Sequence, residues 1–290
     1  MEAGAPPQPY RPPSAKRPKT PGPLERLANG FVDPVRNMLV EAGEIAAFGG
    51  RAFLELRGVL RYSAELMRQV ALLITGSALV LWAMQFTFGL TCGNESVYIL
   101  RGYGASSYAG VFSALCPIRE ATPFMFAYMV GAKIGCGYVA EIGSMRINDE
   151  IDAMEALGLN PMRYLVATRL LANILVSLPI FIIGLVLFYV GEVFVILFQI
   201  GEISRGAWES VHWAFTDGPS MLFSYTKTLV MWVAIVIAAM FYGYNARGGP
   251  VGVGEATAKS MVVALVVTMV LNTGFTFFFW GVDPKIPVGG

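Results

Sequence analysis

The sequence is short of charge. Only 14% of its 290 residues are Asp, Glu, Lys or Arg, against 55% hydrophobic residues, which leaves too little polar surface to cover a water-soluble globule of this size. It is equally short of the residues that build catalytic and metal centres. There is one histidine, His212, so a Ser-His-Asp triad or a multi-histidine zinc centre is not expected, and no metal site is expected. Next to Trp213, His212 reads as an interfacial aromatic anchor. The three cysteines, Cys92, Cys116 and Cys136, are too few and too scattered for a metal site or a disulfide scaffold. Cys92 and Cys116 would share one side of a membrane, where a bridge is chemically possible, but buried free thiols are the commoner state. A glycine-rich loop at 248–254 has phosphate-loop spacing between Gly249 and Gly254, yet Glu255 stands at the lysine position and Ala256 where the Ser or Thr would be. The phosphate cradle is therefore missing. This chain is not expected to hydrolyse ATP or to bind a cofactor, and no nucleic-acid partner is expected.

What the sequence has instead is long apolar runs. A spanning helix needs roughly 20 apolar residues at about 1.5 Å rise each. Five stretches reach or approach that: 70–90, 121–132 continuing past Lys133 to 140, 170–191, 228–246 and 260–282. The third could run on past Glu192 to Ile200, with Glu192 marking its outer end. The predicted fold is an all-α integral membrane protein with about five transmembrane helices. Ten basic residues precede the first span, and Arg146, Arg163, Arg169, Arg247 and Lys259 fall on the same alternate side, against Arg101, Arg119, Arg205 and Lys285 on the other. The excess of Lys and Arg on one side places the N-terminus in the cytoplasm and the C-terminus outside the cytoplasmic (inner) membrane.

Residues 1–32 hold eight of the 17 prolines and no apolar run, so they read as a disordered cytoplasmic tail. Across 33–68, Val35, Met38, Leu39, Ala42, Ile45, Phe53, Leu56 and Leu60 recur at helical spacing with charged residues between them. That pattern predicts an interfacial amphipathic helix, or equally a helix packed on another subunit, kinked at Gly49 and Gly50. Arg57, Arg61 and Arg68 would meet the anionic inner leaflet. The remainder, 69–290, is the membrane domain. Within it 91–118 is too mixed for a span and reads as a re-entrant hairpin, and 201–219 has similar character.

The segment 141–169 carries strong helical signals between two spans. Asn148 can cap a short helix, Asp149 and Glu150 suit its positive end, and Gly158 followed by Asn160 and Pro161 stops it. Ile147, Ile151, Met154 and Leu157 form an apolar ridge, while Asp149, Glu150, Asp152 and Glu155 crowd the remainder. Such a helix is a candidate docking surface, though acidic helix faces are often simply solvated. Elsewhere, Gly131 and Gly135 give the second span a smooth face for close helix approach. Lys133 and Lys227 fall in or at the end of spans and must pair, snorkel or face a cavity, with Glu120, Glu141 or a lipid headgroup as partners.

The run from Glu141 matches the pattern E-x-G-x-M-R-x-x-(D/E)-(E/Q)-I-D-A-(L/M)-E-x-(L/M)-G at Glu141, Gly143, Met145, Arg146, Glu150, Ile151, Asp152, Ala153, Met154, Glu155 and Gly158. Together with Arg119, Glu120 and Pro123, with Gly131, Ala132, Lys133 and Gly135, and with the glycine loop at 248–254, it resembles the MlaE/YrbE permease family. The stretches 242–245, 254–256 and 281–284 resemble the B-type YrbE proteins encoded with Mce (mammalian cell entry) proteins in actinobacteria. The resemblance implies a permease domain over 69–290 belonging to an ABC-type transporter of hydrophobic lipids such as fatty acids, sterols or envelope lipids. It further implies a second, A-type YrbE permease, an MlaF-like ATPase dimer that binds the ATP and Mg, and MCE-domain proteins above. The segment 147–157, preceded by Arg146, would be the ATPase-coupling helix, and an apolar cavity would hold lipid tails. A membrane scaffold for MCE proteins and an ion-coupled secondary transporter are the competing readings; the latter predicts inverted repeats and several intramembrane acids, which the sequence does not display.

Overall fold

The computed structural model describes residues 23–281, with side chains from 36 to 281. Residues 1–22 of the expected tail, and 282–290, lie outside the described residues. The chain divides into two units, Met1–Glu44 and Ile45–Gly290. In the first, Met38, Leu39 and Val40 are exposed on a helical backbone. Among the described residues every regular element is helical, in eleven α-helices: α1 Pro23–Glu55, α2 Ser63–Leu73, α3 Leu79–Arg101, α4 Ala109–Cys116, α5 Thr122–Met129, α6 Cys136–Ile147, α7 Glu150–Ala156, α8 Thr168–Val193, α9 Arg205–Phe215, α10 Gly218–Tyr244 and α11 Gly249–Trp280.

Gly49 and Gly50 do not divide the helix: α1 continues through both, and the bare side of Gly49 is used for packing, where a Cβ would lie 3.1 Å from Ile237. The helix tightens later, into a 3-10 segment at Leu56–Tyr62, where Gly58 sits under the Arg163 side chain. The stretch expected to be a re-entrant hairpin is the end of α3, a turn at Gly102–Ala105, and a return through α4.

Four helical runs are long and apolar enough to cross a membrane: Arg36–Arg101, Met162–Ile200, Gly218–Tyr244 and Gly249–Trp280. The second expected span lies inside an unbroken helical path from Ala109 to Ile147, in which π-helical turns at Pro117–Ala121 and Val130–Gly135 join α4, α5 and α6. That path is less apolar, and much of it is enclosed by protein: Phe126, Ala127, Val130, Ile134, Val139 and Ile142 are all buried. Glu192 does not end the third span. It is fully buried, and the helix runs past it to Ile200.

Helices in lipid gain little from the hydrophobic effect, so close backbone approach must supply the contact. α3 and α8 show it most clearly. A Cβ on Gly89 would stand 2.0 Å from the Phe188 carbonyl oxygen, and one on Gly191 would stand 2.5 Å from that of Phe86. The core fills with Phe126, Phe181, Trp232, Leu170 and Ile235 from α5, α8 and α10. Leu175, Leu178 and Ile182 on α8 and Val266, Met269, Val270 and Phe278 on α11 point outward, as lipid-facing side chains do. α11 begins after a turn in which Gly248 and Gly249 take φ of 89° and 71°, a conformation that glycine adopts without steric cost.

Candidate functional site

The acidic helix α7 is shorter than the segment 147–157. Ile147 closes α6, and Asn148 caps the end of α6 rather than the start of α7. Only Asn148 and Asp149 join the two helices, and Asp149 sits in the left-handed region at φ 58°, which Asp tolerates better than most residues. The apolar ridge also divides. Ile151 is wholly buried in the main core and anchors the helix, Ile147 and Met154 are half-buried, and Leu157 projects past the helix end, 79% exposed. What remains outward is the acidic face with Leu157.

Both flanks of α7 are tied down. Arg146 Nη1 lies 2.6 Å from Asp152 Oδ1, with its guanidinium 5.8 Å from the Tyr244 ring at the end of α10. Behind α7, Arg163 Nε donates to Glu55 Oε2 at 2.6 Å, Asn160 Nδ2 donates to Glu55 Oε1 at 3.3 Å, and Asn160 Oδ1 accepts from the Arg163 backbone N–H. Each half-exposed pair is worth only about 0–1 kcal/mol, so their effect is to fix geometry around the buried Ile151. A polar groove of about 310 Å³ opens beside the helix, with Arg51, Glu55, Glu155, Asn160 and Tyr244 in its walls. Asp149, Glu150 and Glu155 form no ion pair among the described residues, so their charge is available to something else.

From this end a polar ladder climbs the inward face of α8, at Arg169, Asn173 and Ser177, where a spacing of four keeps one face. Arg169, 2% exposed, pairs with Glu141 at 2.5 Å and lies over the Tyr138 ring. Asn173 donates to the Tyr138 hydroxyl at 2.7 Å and accepts from Trp232 Nε1 at 2.9 Å; Ser177 Oγ and the Tyr225 hydroxyl are 3.1 Å apart. Sequence reasoning missed this ladder, counting Arg169 only as a loop charge. The signal was the Arg-x-x-x-Asn-x-x-x-Ser spacing at the start of an apolar run.

At the opposite end, a cleft of about 530 Å³ is walled by Ile99, Leu100, Val111, Phe112 and Leu115, with Arg119 and Glu120 also lining it. Lys227, a completely buried side chain, donates to the Arg119 carbonyl at 2.7 Å and to Glu120 Oε2 at 3.4 Å. Asn272 donates to Glu120 at 2.6 Å, and the Thr276 hydroxyl bridges Lys227 and Glu120. Arg119 and Lys227 both lie about 6 Å from the Trp280 ring, within cation–π range. Lys227 therefore joins three helical segments. The structure does not bring the other candidates to it. Gly131 packs on Ala264 and Gly135 on Ala239, while Lys133 is exposed on the same helical path without an ion partner among the described residues.

His212 is buried, 2% exposed, and stacked on Trp208 at 4.7 Å; the exposed aromatic is Trp213. Burial pushes its imidazole down to about 4, so protonation favours states in which it is released. Stability from this site is complete above the ordinary value near 6.5 and is lost as pH falls towards 4. The melting temperature of the wild-type chain should therefore drop further than that of His212→Phe between pH 7 and 4.5; parallel curves would show that His212 does not titrate with unfolding. Cys92 and Cys116 are free thiols with sulfurs 4.0 Å apart. Among the described residues no group of His, Cys, Asp and Glu is placed to hold a metal ion.

Comparison with known proteins fits this architecture. The family model "Permease MlaE" matches residues 66–278. A Synechocystis sp. protein described as "Probable ABC transporter permease protein" is 32% identical over 187 residues, 64% of this chain and 68% of its own length. A Rickettsia conorii protein of the same description is 24% identical over 244 residues, covering 83% and 94%. The "Intermembrane phospholipid transport system permease protein MlaE" of Haemophilus influenzae is 25% identical over 244 residues, covering 80% and 92%.

Proposed function

The chain belongs to the MlaE permease family, and from that premise we propose that it is the lipid-conducting membrane subunit of an ATP-driven transporter, with ATP hydrolysed by a separate partner. The observation that carries this is the cleft: an apolar trough of about 530 Å³ ending in Arg119 and Glu120 suits an amphipathic molecule, with acyl chains along the aliphatic wall and a polar headgroup at the charged end. The phospholipid transport named for the Haemophilus relative supports lipid as the cargo. The partners are an A-type permease, an MlaF-like ATPase dimer docking on α7, and MCE-domain proteins on the far side. In this reading the path 109–147 crosses the cytoplasmic membrane with the four apolar runs, the N-terminus is cytoplasmic, the C-terminus is outside, and Lys133 faces the second permease or the lipid path.

The test is affinity purification of the tagged chain from native membranes in mild detergent, with mass spectrometry of proteins and lipids. An ATPase, a second permease and retained lipid are expected. Lys227→Met should lower the retained lipid about tenfold without loss of partners, because removing the ammonium leaves Glu120 facing the cleft uncompensated. Recovery of MCE proteins without ATPase or lipid would establish a scaffold instead. One observation favours ion coupling: Glu192 is buried inside a membrane-length run with neither carboxylate oxygen bonded, as proton carriers often are. Lipid movement driven by a pH gradient without ATP, abolished by Glu192→Gln, would replace the ATP-driven reading.

A further inference from the structure

A second trough, of about 370 Å³, lies on the outer surface of α8 and α9, away from the cleft. Its walls are valines of α8 together with Phe194, Phe198, Trp208 and Trp213, and no lining residue carries a fixed charge. Phe194, Phe198 and Trp213 are 51%, 76% and 64% exposed, so the trough opens outward. Two lining residues break the apolar pattern. The Tyr189 hydroxyl and His212 Nδ1 are buried polar atoms, and neither has a hydrogen-bond partner. Their rings meet edge to face, 5.1 Å apart, so the two unsatisfied atoms sit on adjoining side chains. A buried polar atom without a partner is costly, and two together in an otherwise apolar trough point to a ligand that brings the missing bond.

We propose that this trough binds an uncharged lipid through a hydroxyl group, which hydrogen-bonds to Tyr189 or His212. The chemistry of the pair sets the class. A phenol can donate or accept, and a neutral imidazole nitrogen does either according to its tautomer, so a lipid hydroxyl suits either. An anionic carboxylate or phosphate would be desolvated beside residues that offer no cation, and His212 stays neutral at ordinary pH. The apolar walls take the body of the lipid, a sterol nucleus or acyl chains. The site does not depend on transport.

The experiment uses the full chain in nanodiscs and a diazirine-bearing long-chain alcohol as photoprobe, with labelled peptides mapped by mass spectrometry. Labels should fall on 186–198 and 208–213 and be displaced by unlabelled long-chain alcohol but not by oleate or phosphatidylglycerol. Displacement by cholesterol or by dioleoylglycerol then distinguishes a sterol from an acyl-chain source. Tyr189→Phe keeps the ring and removes the hydroxyl, and should weaken labelling about fivefold, as loss of one neutral hydrogen bond does. Val190→Trp should block the trough while leaving both polar atoms in place. Equal labelling in Tyr189→Phe, equal competition by oleate, or labels only elsewhere would overturn the site. Since no ATPase is present in the assay, none of these results bears on the transport reading.

Discussion

Gly89→Leu is expected to abolish accumulation of the folded protein. A Cβ at this position would lie 2.0 Å from the Phe188 carbonyl oxygen and 3.0 Å from the Phe188 Cα, so the obstacle is backbone, which has no rotamer by which to escape. Side-chain overpacking typically costs about 1–3 kcal/mol; separating two helices to admit a branched side chain loses contacts along the whole seam as well. Against a total stability of about 5–15 kcal/mol, the loss should be decisive. The seam depends on a reciprocal arrangement, with Gly191 of α8 set against the Phe86 carbonyl, so Gly191→Leu should behave in the same way. Gly50→Ala is the control, because a Cβ there meets nothing within 4 Å and alanine is the better helix former. Fluorescence-detected size exclusion and thermal melting should show aggregated or absent Gly89→Leu beside a Gly50→Ala at least as stable as the parent. A monodisperse Gly89→Leu with an unchanged melting point would mean that α3 and α8 are not packed at this distance.

That seam could not have been read from the sequence. Glycine spacing suggested Gly131 and Gly135 as a smooth face, and both do pack closely, on Ala264 and Ala239. The closer contact, at Gly89, Gly93 and Gly191, needed knowledge of which two helices meet. The apolar runs were legible because length and hydropathy report on surroundings one segment at a time. Pairing is long-range. Glu192 shows the same limit: after a long uncharged run it looks like a terminus, yet it sits buried against Gly93 with helix continuing beyond it. The burial of His212 was illegible for a related reason, since a neighbouring Trp213 in sequence says nothing about Trp208, one helical turn back, which covers the imidazole. At α7 the acidic composition and the stop at Gly158 were visible, but not which apolar residue would turn inward. Ile151 was counted on a docking ridge and is in fact the anchor.

That distinction decides which substitution tests coupling to an ATPase. Asp152→Lys would change two things at once, because Asp152 is already held by Arg146 at 2.6 Å; a reversal there loosens the α6–α7 junction and alters the surface charge together. Glu155→Lys is cleaner. Glu155 is exposed, lines the polar groove with Arg51 and Tyr244, and forms no ion pair among the described residues, so the fold does not depend on its sign. If the acidic face meets a basic groove on the ATPase, a reversed charge replaces an attraction with a repulsion costing several kcal/mol, and every 1.4 kcal/mol is tenfold in affinity. The Glu155→Lys chain should therefore insert and melt like the parent, while co-purified ATPase falls at least tenfold and ATP-driven lipid movement in proteoliposomes falls with it. Adding Glu150→Lys should remove what remains. Ile151→Asp should behave differently, since a carboxylate in the main core costs stability directly, and its melting temperature should collapse before any question of docking arises. Normal ATPase recovery and transport in Glu155→Lys combined with Glu150→Lys would show that the acidic face is only a solvated surface, and docking would then have to be carried by Leu157 and the groove beside it.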